Sequence, residues 1–269
     1  MPPAPSSAQA PVPPSAPPPS QPLPSSPSGL PASPSTSGPP SPDRAQGALS
    51  DAWLVIPLFN EAEVIRGVIE QARTVFPCVV VVDDGSRDDS AHQAELAGAV
   101  VVRHPVNLGQ GAALQTGFAY VLERTGAAYA VTFDADGQHS VQDAAAMVAA
   151  ARREDLAVVL GSRFLKGPSP VGWLKRLVLR TAAAVSSRTS GMRLTDAHNG
   201  LRVLRRDALE RLDLKQNRMA HASEIIRQIG AMGLPWREHP VTITYTEYSK
   251  AKGQSLWNSV NIIVDLIFS

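Results

Sequence analysis

The sequence has very little cysteine, few aromatic residues and no long apolar run. Cys78 is the single cysteine among 269 residues, and Phe, Trp and Tyr together make up 5%. Because one cysteine cannot form a disulfide within the chain, we expect Cys78 to be a small core residue, and this cysteine usage favours a cytoplasmic protein. No apolar run reaches the ~18 residues of a membrane-spanning helix, so we expect no integral membrane segment. The net charge of +1 gives no bias towards nucleic acid as a partner.

Charged and aromatic residues are also scarce in the first 50 residues. Of the 24 prolines in the chain, 17 lie between Pro2 and Pro42, interleaved with Ser and Ala, and the charged residues there are Asp43 and Arg44. Such a segment buries too little apolar surface to offset the entropy of ordering it. Residues 1–50 are therefore predicted to be a disordered tail, partly polyproline II, without the basic and apolar regions of a secretory signal. The tail can serve as a flexible tether or as a ligand for an SH3-like domain, or it can result from a start site assigned too far upstream.

From residue 51 onwards, short apolar runs alternate with segments of helical periodicity. The apolar runs predict strands at 53–56, 79–82, 99–102, 129–133 and 156–160. The periodic segments predict helices at 61–76, 88–97, 111–122 and 141–152. Repeated strand–helix units are typical of an α/β fold whose mostly parallel sheet is covered by helices on both faces.

The pattern changes after residue 161. We expect a helix at 173–185, a loop that holds Asp196 and Arg202, a helix at 223–232 and a strand at 241–245. Residues 256–269 are predicted to form an amphipathic C-terminal helix. The helices at 173–185 and 256–269 carry tryptophan and an apolar stripe, so they can lie in a membrane interface or simply pack on the core.

Polar residues follow the ends of four predicted strands. They are Asn60 and Glu61, Asp83 and Asp84, Asn107, and the pair Asp134 and Asp136. Ligands of parallel α/β sheets bind beyond the carboxyl ends of the strands, and these side chains are expected to converge there on one crevice.

Asp134 and Asp136 are the strongest candidates for chemistry. Two carboxylates separated by one residue after a buried strand suit Mg²⁺ or Mn²⁺, which take hard oxygen ligands and keep positions open for substrate phosphates. A metal ion held there would stabilise negative charge on a departing diphosphate. Outside such a context, the same spacing is more often a turn or a helix cap.

The other two clusters allow two interpretations each. Asp83 to Ser86 can be a turn, or its carboxylates can accept hydrogen bonds from a nucleobase and a ribose. Asn107 to Gly111 can be a loop, or its backbone amides can hold phosphate at a helix start. The glycine pair has neither the Rossmann nor the P-loop spacing, which disfavours a Rossmann dehydrogenase.

Five ordered motifs together resemble glycosyltransferase family 2, whose members have a GT-A fold. The motifs are Ile56–Glu61, Val82–Ser86, Asn107–Gly109, Asp134–His139 and Gly161–Arg163. The chain most resembles the branch that glycosylates polyprenol or dolichyl phosphate, over roughly residues 52–255. The resemblance implies a glycosyltransferase domain at 51–255 that transfers a hexose, with inversion, from a GDP- or UDP-sugar to a polyprenyl phosphate.

The resemblance also assigns roles to residues. It implies that the nucleotide-sugar contacts are Pro57, Phe59, Glu61, Asp83, Asp84, Asn107, Gly109, Asp134 and Ala135. Asp134, Asp136 and Gln138 would surround the metal ion. Arg163 would meet the donor diphosphate or the acceptor phosphate, Asp196 and Arg202 belong to the acceptor-side loop, and Lys250 would contact phosphate.

Two departures from the branch concern the acceptor. The branch has Ser or Thr where this chain has His198 and Asn199, and it often has an acidic residue at the position of Ala222. If the acceptor is a sugar hydroxyl in a glycan or small molecule, a general base is needed, and Asp196, His221 and Glu224 are candidates.

If the acceptor is a lipid phosphate, its oxygen is already ionised and the site needs cations instead. Arg163, Arg176, Arg202 and Lys250 can supply them, although Arg176 and Lys250 can equally be surface charges. A protein of this kind is expected in the cytoplasm, bound peripherally to the inner face of the membrane. A third hypothesis, a nucleotide-sugar-binding scaffold without turnover, is disfavoured by the intact pair Asp134 and Asp136. His104, His139 and His239 are interpreted as surface or structural residues.

Overall fold

The computed structural model describes residues 49–165, 181, 183–184, 186–188, 190–216 and 220–244. Residues 1–48 of the predicted tail, Arg176, Lys250 and the predicted helix at 256–269 lie outside the described residues, as does most of the predicted helix at 173–185. Within the described ranges, no helix is long and apolar enough to cross a membrane.

A seven-stranded, mostly parallel sheet forms the centre of the described fold. Its strands are β1 (Ala52–Leu58), β2 (Val79–Asp83), β3 (Val100–Arg103), β4 (Tyr129–Thr132), β5 (Val158–Ser162), β6 (Arg202–Arg205) and β7 (Trp236–Pro240). The strand order is β3-β2-β1-β4-β6-β5-β7. Only β6 runs antiparallel to its neighbours β4 and β5 within this sheet. The α/β class predicted from the strand–helix rhythm is confirmed.

Helices cover both faces of the sheet. They are α1 (Ile65–Arg73), α2 (Ser90–Leu96), α3 (Gln110–Arg124), α4 (Val141–Arg153), α5 (Arg206–Leu209) and α6 (Ala220–Met232). Alternate residues of β1 point to opposite faces: Leu54 and Ile56 pack in one core cluster with α1 and α4, and Val55 packs in the other with α3 and α6. The two-residue period of a strand requires this alternation. Helix α3 therefore packs on the face of the sheet opposite to α1 and α4.

Two sequence predictions about the last strands are wrong. Among residues 241–244, the described part of the strand predicted at 241–245, only Ile243 makes a β contact, an isolated bridge to His139. The strand lies at Trp236–Pro240 instead, where every residue is half-buried. Arg202 does not lie in a loop, because it begins β6, whose apolar centre is only Val203 and Leu204. In β6, two arginines flank the apolar pair, and the centre of β7 is Arg237, Glu238 and His239. Neither strand therefore has the apolar run that identified the others.

The carboxyl ends of β1, β2 and β4 lie at one edge of the sheet. β1 pairs in parallel with β2 on one side, ending with Leu58 opposite Asp83, and with β4 on the other. The backbone amide of Asp84 donates to the carbonyl of Leu58 at 2.8 Å, and the amide of Phe133 donates to Val55 at 3.0 Å. The polar residues that follow these three strands are therefore held at the same edge.

The contact between α3 and β1 can be tested with a pair of helical glycines. A Cβ added at Gly117 in α3 would contact Cγ1 of Val55 and lie 3.4 Å from Cγ2 of Val82, whereas one added at the exposed Gly67 in α1 would meet open space. We expect Gly117→Ala to lower the free energy of unfolding by about 1–3 kcal/mol, because it overpacks the core. Gly67→Ala should raise it by about 0.5–1 kcal/mol through helix propensity. Urea unfolding measures both, and a stabilised Gly117→Ala would contradict this packing.

Candidate active site

A cleft of about 410 Å³ opens at the carboxyl ends of β1, β2 and β4. Its lining consists of Pro57, Leu58, Phe59, Glu61, Asp84, Asn107, Gly109, Gln110, Ala113, Asp134, Ala135 and Asp136. Eight of the nine predicted nucleotide-sugar contacts belong to this set. The ninth, Asp83, lines an adjoining cavity of about 530 Å³ that shares Phe59 and Asn107 with the cleft. The structure therefore brings the predicted donor-side residues together.

The turn after β1 is tied to the turn after β2. The amide of Asn60 donates to Oγ of Ser86 at 2.9 Å, and the amide of Arg87 donates to Oδ1 of Asn60 at 2.9 Å. The amide of Glu61 donates to Oγ of Ser90 at 2.7 Å. These bonds between segments about 26 residues apart hold one wall of the cleft in a fixed position.

Asp84 is buried and its carboxylate accepts hydrogen bonds from the wall on the other side. The amide of Leu108 donates to Oδ1 at 2.9 Å, and the amide of Gly109 donates to Oδ2 at 2.7 Å. Nδ1 of His104 lies 2.8 Å from Oδ1 as well. Asp84 thus fixes the loop that precedes α3, and its carboxylate reaches the cleft with both oxygens already engaged.

The predicted phosphate cradle at 107–111 has two of its amides already engaged for the same reason. Two of its backbone amides, those of Leu108 and Gly109, are bonded to Asp84 and do not offer their hydrogens to a ligand. Gly109 has a φ of 99°, a left-handed conformation that glycine adopts without strain. The loop therefore forms one wall of the cleft, to which Asn107 and Gln110 contribute polar side chains.

Asp134 and Asp136 stand side by side at the end of β4, and other side chains hold each of them. Nε2 of His139 lies 2.8 Å from Oδ2 of Asp134, and Nε2 of Gln110 lies 3.4 Å from Oδ1. Gln138 donates to both oxygens of Asp136, from its backbone amide at 3.0 Å and its side-chain amide at 2.7 Å. The predicted metal contact Gln138 therefore orients Asp136 directly.

The charges around this pair suit a divalent cation. Burial and repulsion from Asp134 raise the pKa of Asp136. Burial also acts to raise the pKa of Asp134, but the charge and hydrogen bond of His139, with Arg202, hold it below its usual range. No group of three or more His, Cys, Asp or Glu side chains in the described ranges could hold a metal ion by itself. Two carboxylates that repel each other, with room beside them for ligand oxygens, fit a Mg²⁺ or Mn²⁺ ion that is completed by phosphate groups.

A smaller cavity of about 150 Å³ lies on the other side of Asp134. Its lining includes His198, Gly200, Arg202 and His221 as well as Asp134. Arg202 is 3% exposed, and its guanidinium makes no hydrogen bond or ion pair with any residue that the structure describes. Burial lowers its pKa to about 10, so that the guanidinium is charged at neutral pH, with Asp134 and Asp196 favouring the charge. Burying a cation without a direct partner costs free energy, and an anionic ligand would offset this cost by pairing with the guanidinium.

The predicted acceptor-side residues separate into two groups. Arg163 pairs with the buried Asp196, since its amide and its Nε donate to Oδ2 at 3.1 Å and 2.6 Å. Glu224 lies elsewhere: its buried carboxylate accepts from the amides of Lys215 and Gln216, at 2.9 Å for Gln216. Glu224 therefore holds the loop at 215–216. Like Arg163 and Asp196, it lines none of the three cavities described here, and the catalytic roles predicted for these residues stay predictions.

Several contacts of this site were not foreseen from the sequence. Of the two alternatives given for His139 and His104, surface or structural, the contacts favour the structural one, since His139 is buried against Asp134 and His104 is bonded to Asp84. Gln110 and Gly200 were not singled out, although a Cβ at Gly200 would lie 2.8 Å from Oδ1 of Asp134. His139 is the last residue of the Asp134–His139 motif, and its place there is a signal that the sequence offers. The other contacts join segments far apart in the chain and leave no local pattern.

The chain matches the model of glycosyl transferase family 2 over residues 53–213. It is 29% identical over 238 residues to the UDP-N-acetylglucosamine–dolichyl-phosphate N-acetylglucosaminyltransferase of Methanococcus voltae, covering 80% of this chain and 94% of that protein. It is 35% identical over 192 residues to the polyprenol monophosphomannose synthase of Mycolicibacterium smegmatis, covering 64% of this chain and 71% of that protein.

A solved structure shares the fold. Glucosyl-3-phosphoglycerate synthase of Mycobacterium tuberculosis, in complex with Mg²⁺ and uridine diphosphate, superposes with a TM-score of 0.63 at 20% identity. The match covers 83% of this chain and 80% of that one. The GT-A architecture expected from the motifs is confirmed.

The environment of His198 predicts an acid-sensitive contribution to stability. Burial and the nearby charge of Arg202 lower its pKa from 6.5 to about 4. As the pH falls below 6.5, His198 becomes protonated in the unfolded chain but stays neutral in the folded chain. The free energy of unfolding therefore declines until about pH 4. We expect this residue to account for roughly 2–3 kcal/mol of the stability lost between pH 7.5 and 4.5. In urea unfolding at the two pH values, His198→Gln should lose less stability than wild type, and an equal loss would contradict the assignment.

Proposed function

Since the chain belongs to glycosyl transferase family 2, we propose that it transfers a hexose from a nucleotide-sugar to a polyprenyl phosphate. The donor would be a GDP- or UDP-sugar, and transfer would invert the anomeric configuration. The acceptor is embedded in the membrane by its lipid chain, so the protein would work at the inner face of the membrane as a peripheral protein.

The large cleft supports the donor half of this proposal. Phe59, Asp83 and Asn107 lie around the two connected cavities and would contact the nucleoside. The diphosphate would then lie towards Asp134 and Asp136. These two carboxylates, with Gln138 orienting Asp136, would hold Mg²⁺ or Mn²⁺, which supplies positive charge that stabilises the departing nucleoside diphosphate.

The buried guanidinium of Arg202 is the observation that carries the acceptor half. It lines the small cavity next to Asp134, remains charged, and has no hydrogen-bond partner among the described residues. A planar guanidinium with free donors suits the oxygens of a phosphate. Arg163, on the adjacent end of β5, adds a second cation that Asp196 already orients.

The reaction that follows needs no strong base. One oxygen of the acceptor phosphate attacks the anomeric carbon, the bond from that carbon to the diphosphate oxygen breaks, and the nucleoside diphosphate leaves. A phosphate monoester has lost its second proton near pH 6, so its oxygen is already a nucleophile. The residues of the chain would position the phosphate and exclude water from the sugar.

The alternative acceptor, a hydroxyl of a glycan or small molecule, requires a general base in contact with it. Asp196 was the first candidate, but Oδ2 of its buried carboxylate already accepts from the amide and Nε of Arg163. The ion pair therefore supports a role for Asp196 in orienting Arg163, and the phosphate acceptor is the proposal that we retain.

The proposal is tested by following label from donor to lipid. The protein is incubated with Mn²⁺, polyprenyl phosphate in detergent, and tritiated GDP-mannose, UDP-glucose or UDP-N-acetylglucosamine in turn. We expect label from at least one donor to move into the organic phase. Arg202→Gln should lower kcat/KM for polyprenyl phosphate about 10- to 100-fold, since a hydrogen bond to a charged group contributes roughly 1.5–3 kcal/mol.

Arg205→Gln is the matched control for this experiment. Arg205 lies on the same strand but pairs with Asp155 and Asp207 at the surface, so its loss should change transfer less than twofold. Label that stays in the aqueous phase with every donor would overturn the lipid acceptor. Full activity of Arg202→Gln would overturn the role of Arg202.

A further inference from the structure

Glu238 on the edge strand β7 makes a set of contacts that the proposed reaction does not yet explain. Its Oε1 accepts hydrogen bonds from the backbone amides of Thr195 at 2.8 Å and Asp196 at 3.0 Å. Its Oε2 accepts from the hydroxyl of Thr195, also at 2.8 Å. One carboxylate thus binds two consecutive amides and a hydroxyl of a loop that lies more than 40 residues away in sequence. Hydrogen bonds to a charged acceptor of this kind are among the stronger ones in proteins.

The loop that Glu238 binds is the one that holds Arg163. Oγ of Thr195 lies 2.6 Å from Oγ of Ser162, the last residue of β5. Oδ2 of Asp196 accepts from both the amide and Nε of Arg163, the next residue along. Contacts therefore run from Glu238 through Thr195 and Asp196 to the guanidinium of Arg163.

Asp196 has few other means of keeping its orientation. Its second oxygen, Oδ1, is buried and has no hydrogen-bond partner in the described part of the chain. Its carboxylate is therefore fixed by Arg163 on one side and by its own backbone on the other. Since the backbone amides at 195 and 196 are bonded to Glu238, the position of that backbone depends on the Glu238 carboxylate.

We propose that Glu238 is a positioning residue, which fixes the loop at Thr195 and Asp196 and thereby holds Arg163 towards the acceptor phosphate. The inference rests on the proposed function, because that function gives Arg163 its phosphate. The hydrogen bonds of Glu238 go to the loop at Thr195 and Asp196, so we assign its effect on Arg163 to that loop. The donor cleft lies on the far side of Asp134, and its residues do not contact Glu238 in the hydrogen bonds described.

Two substitutions at this position separate positioning from charge. Glu238→Ala removes all three acceptor contacts. Glu238→Gln keeps one oxygen for the two amides, and its amide group can donate to Oγ of Thr195 while the threonine hydroxyl donates to Ser162. We expect Glu238→Ala to lower kcat/KM for polyprenyl phosphate about 10- to 100-fold, and Glu238→Gln to stay within about threefold of wild type.

The donor side and a neighbouring carboxylate provide the controls. The dissociation constant for GDP or UDP with Mn²⁺, measured by calorimetry, should change less than twofold in Glu238→Ala. Glu154→Ala removes a surface carboxylate that pairs with Arg237, the residue next to Glu238 on β7. It should leave the acceptor kinetics unchanged, because its contact does not lead to the loop.

A second readout does not depend on turnover. In ¹⁵N-labelled protein, the Nε–H signal of Arg163, assigned by its loss in Arg163→Lys, should lie downfield through its bond to Asp196. It should move to the position of a free arginine in Glu238→Ala and remain in place in Glu238→Gln. An unmoved signal in Glu238→Ala, wild-type acceptor kinetics in that variant, or equal loss of donor affinity would each overturn the inference. A wild type that transfers no sugar to lipid would overturn the proposed function alone, since the signal of Arg163 still reports the positioning.

Discussion

The backbone of Gly200 lies directly against the carboxylate of Asp134, and this close approach joins the two halves of the site. A Cβ on Gly200 would stand 2.8 Å from Oδ1 of Asp134. The carbonyl of Gly200 accepts from the hydroxyl of Thr132 at 2.5 Å, and the amide of Arg202 donates to the same hydroxyl oxygen at 3.1 Å. The antiparallel strand β6 is thereby held beside β4, so that Arg202 enters the site next to the carboxylates. The cation of the small cavity and the acids of the cleft therefore lie on either side of Asp134, which lines both cavities.

Charge is distributed across this junction in a way that matches the proposed reaction. On the donor side, burial and the repulsion from Asp134 raise the pKa of Asp136, and a bound cation would relieve that repulsion. On the acceptor side, Arg202 is buried and charged, and an anion would satisfy it. A metal-bound diphosphate on one side and a phosphate on the other would neutralise both the pair of carboxylates and the guanidinium of Arg202. His139 lies against Asp134 and Gln138 donates to Asp136, and these fixed partners offset part of the free-energy cost of burying the two carboxylates.

The parts of the fold and the site that local sequence determines were predictable. β1, β2 and β4 are continuous apolar runs, and the acids that follow them were expected to converge, as they do around the cleft. Strands β6 and β7 were missed because their charged residues interrupt the apolar pattern. The bonding of Asp84 to Leu108 and Gly109 was equally hidden, since an acid after a strand looks the same whether it faces a ligand or a loop. Contacts of this kind depend on how distant segments pack, which residue spacing does not encode.

The central claim is that Asp134 and Asp136 bind the donor diphosphate together with a divalent cation. Isothermal titration calorimetry of GDP and UDP into the full chain, with Mn²⁺ and then with EDTA, tests it most directly. At least one nucleotide should bind tenfold or more tightly with Mn²⁺ than with EDTA, and Asp136→Ala should abolish the difference while leaving the unfolding transition cooperative. Equal affinity with and without the metal ion, or a metal effect that survives in Asp136→Ala, would contradict the account.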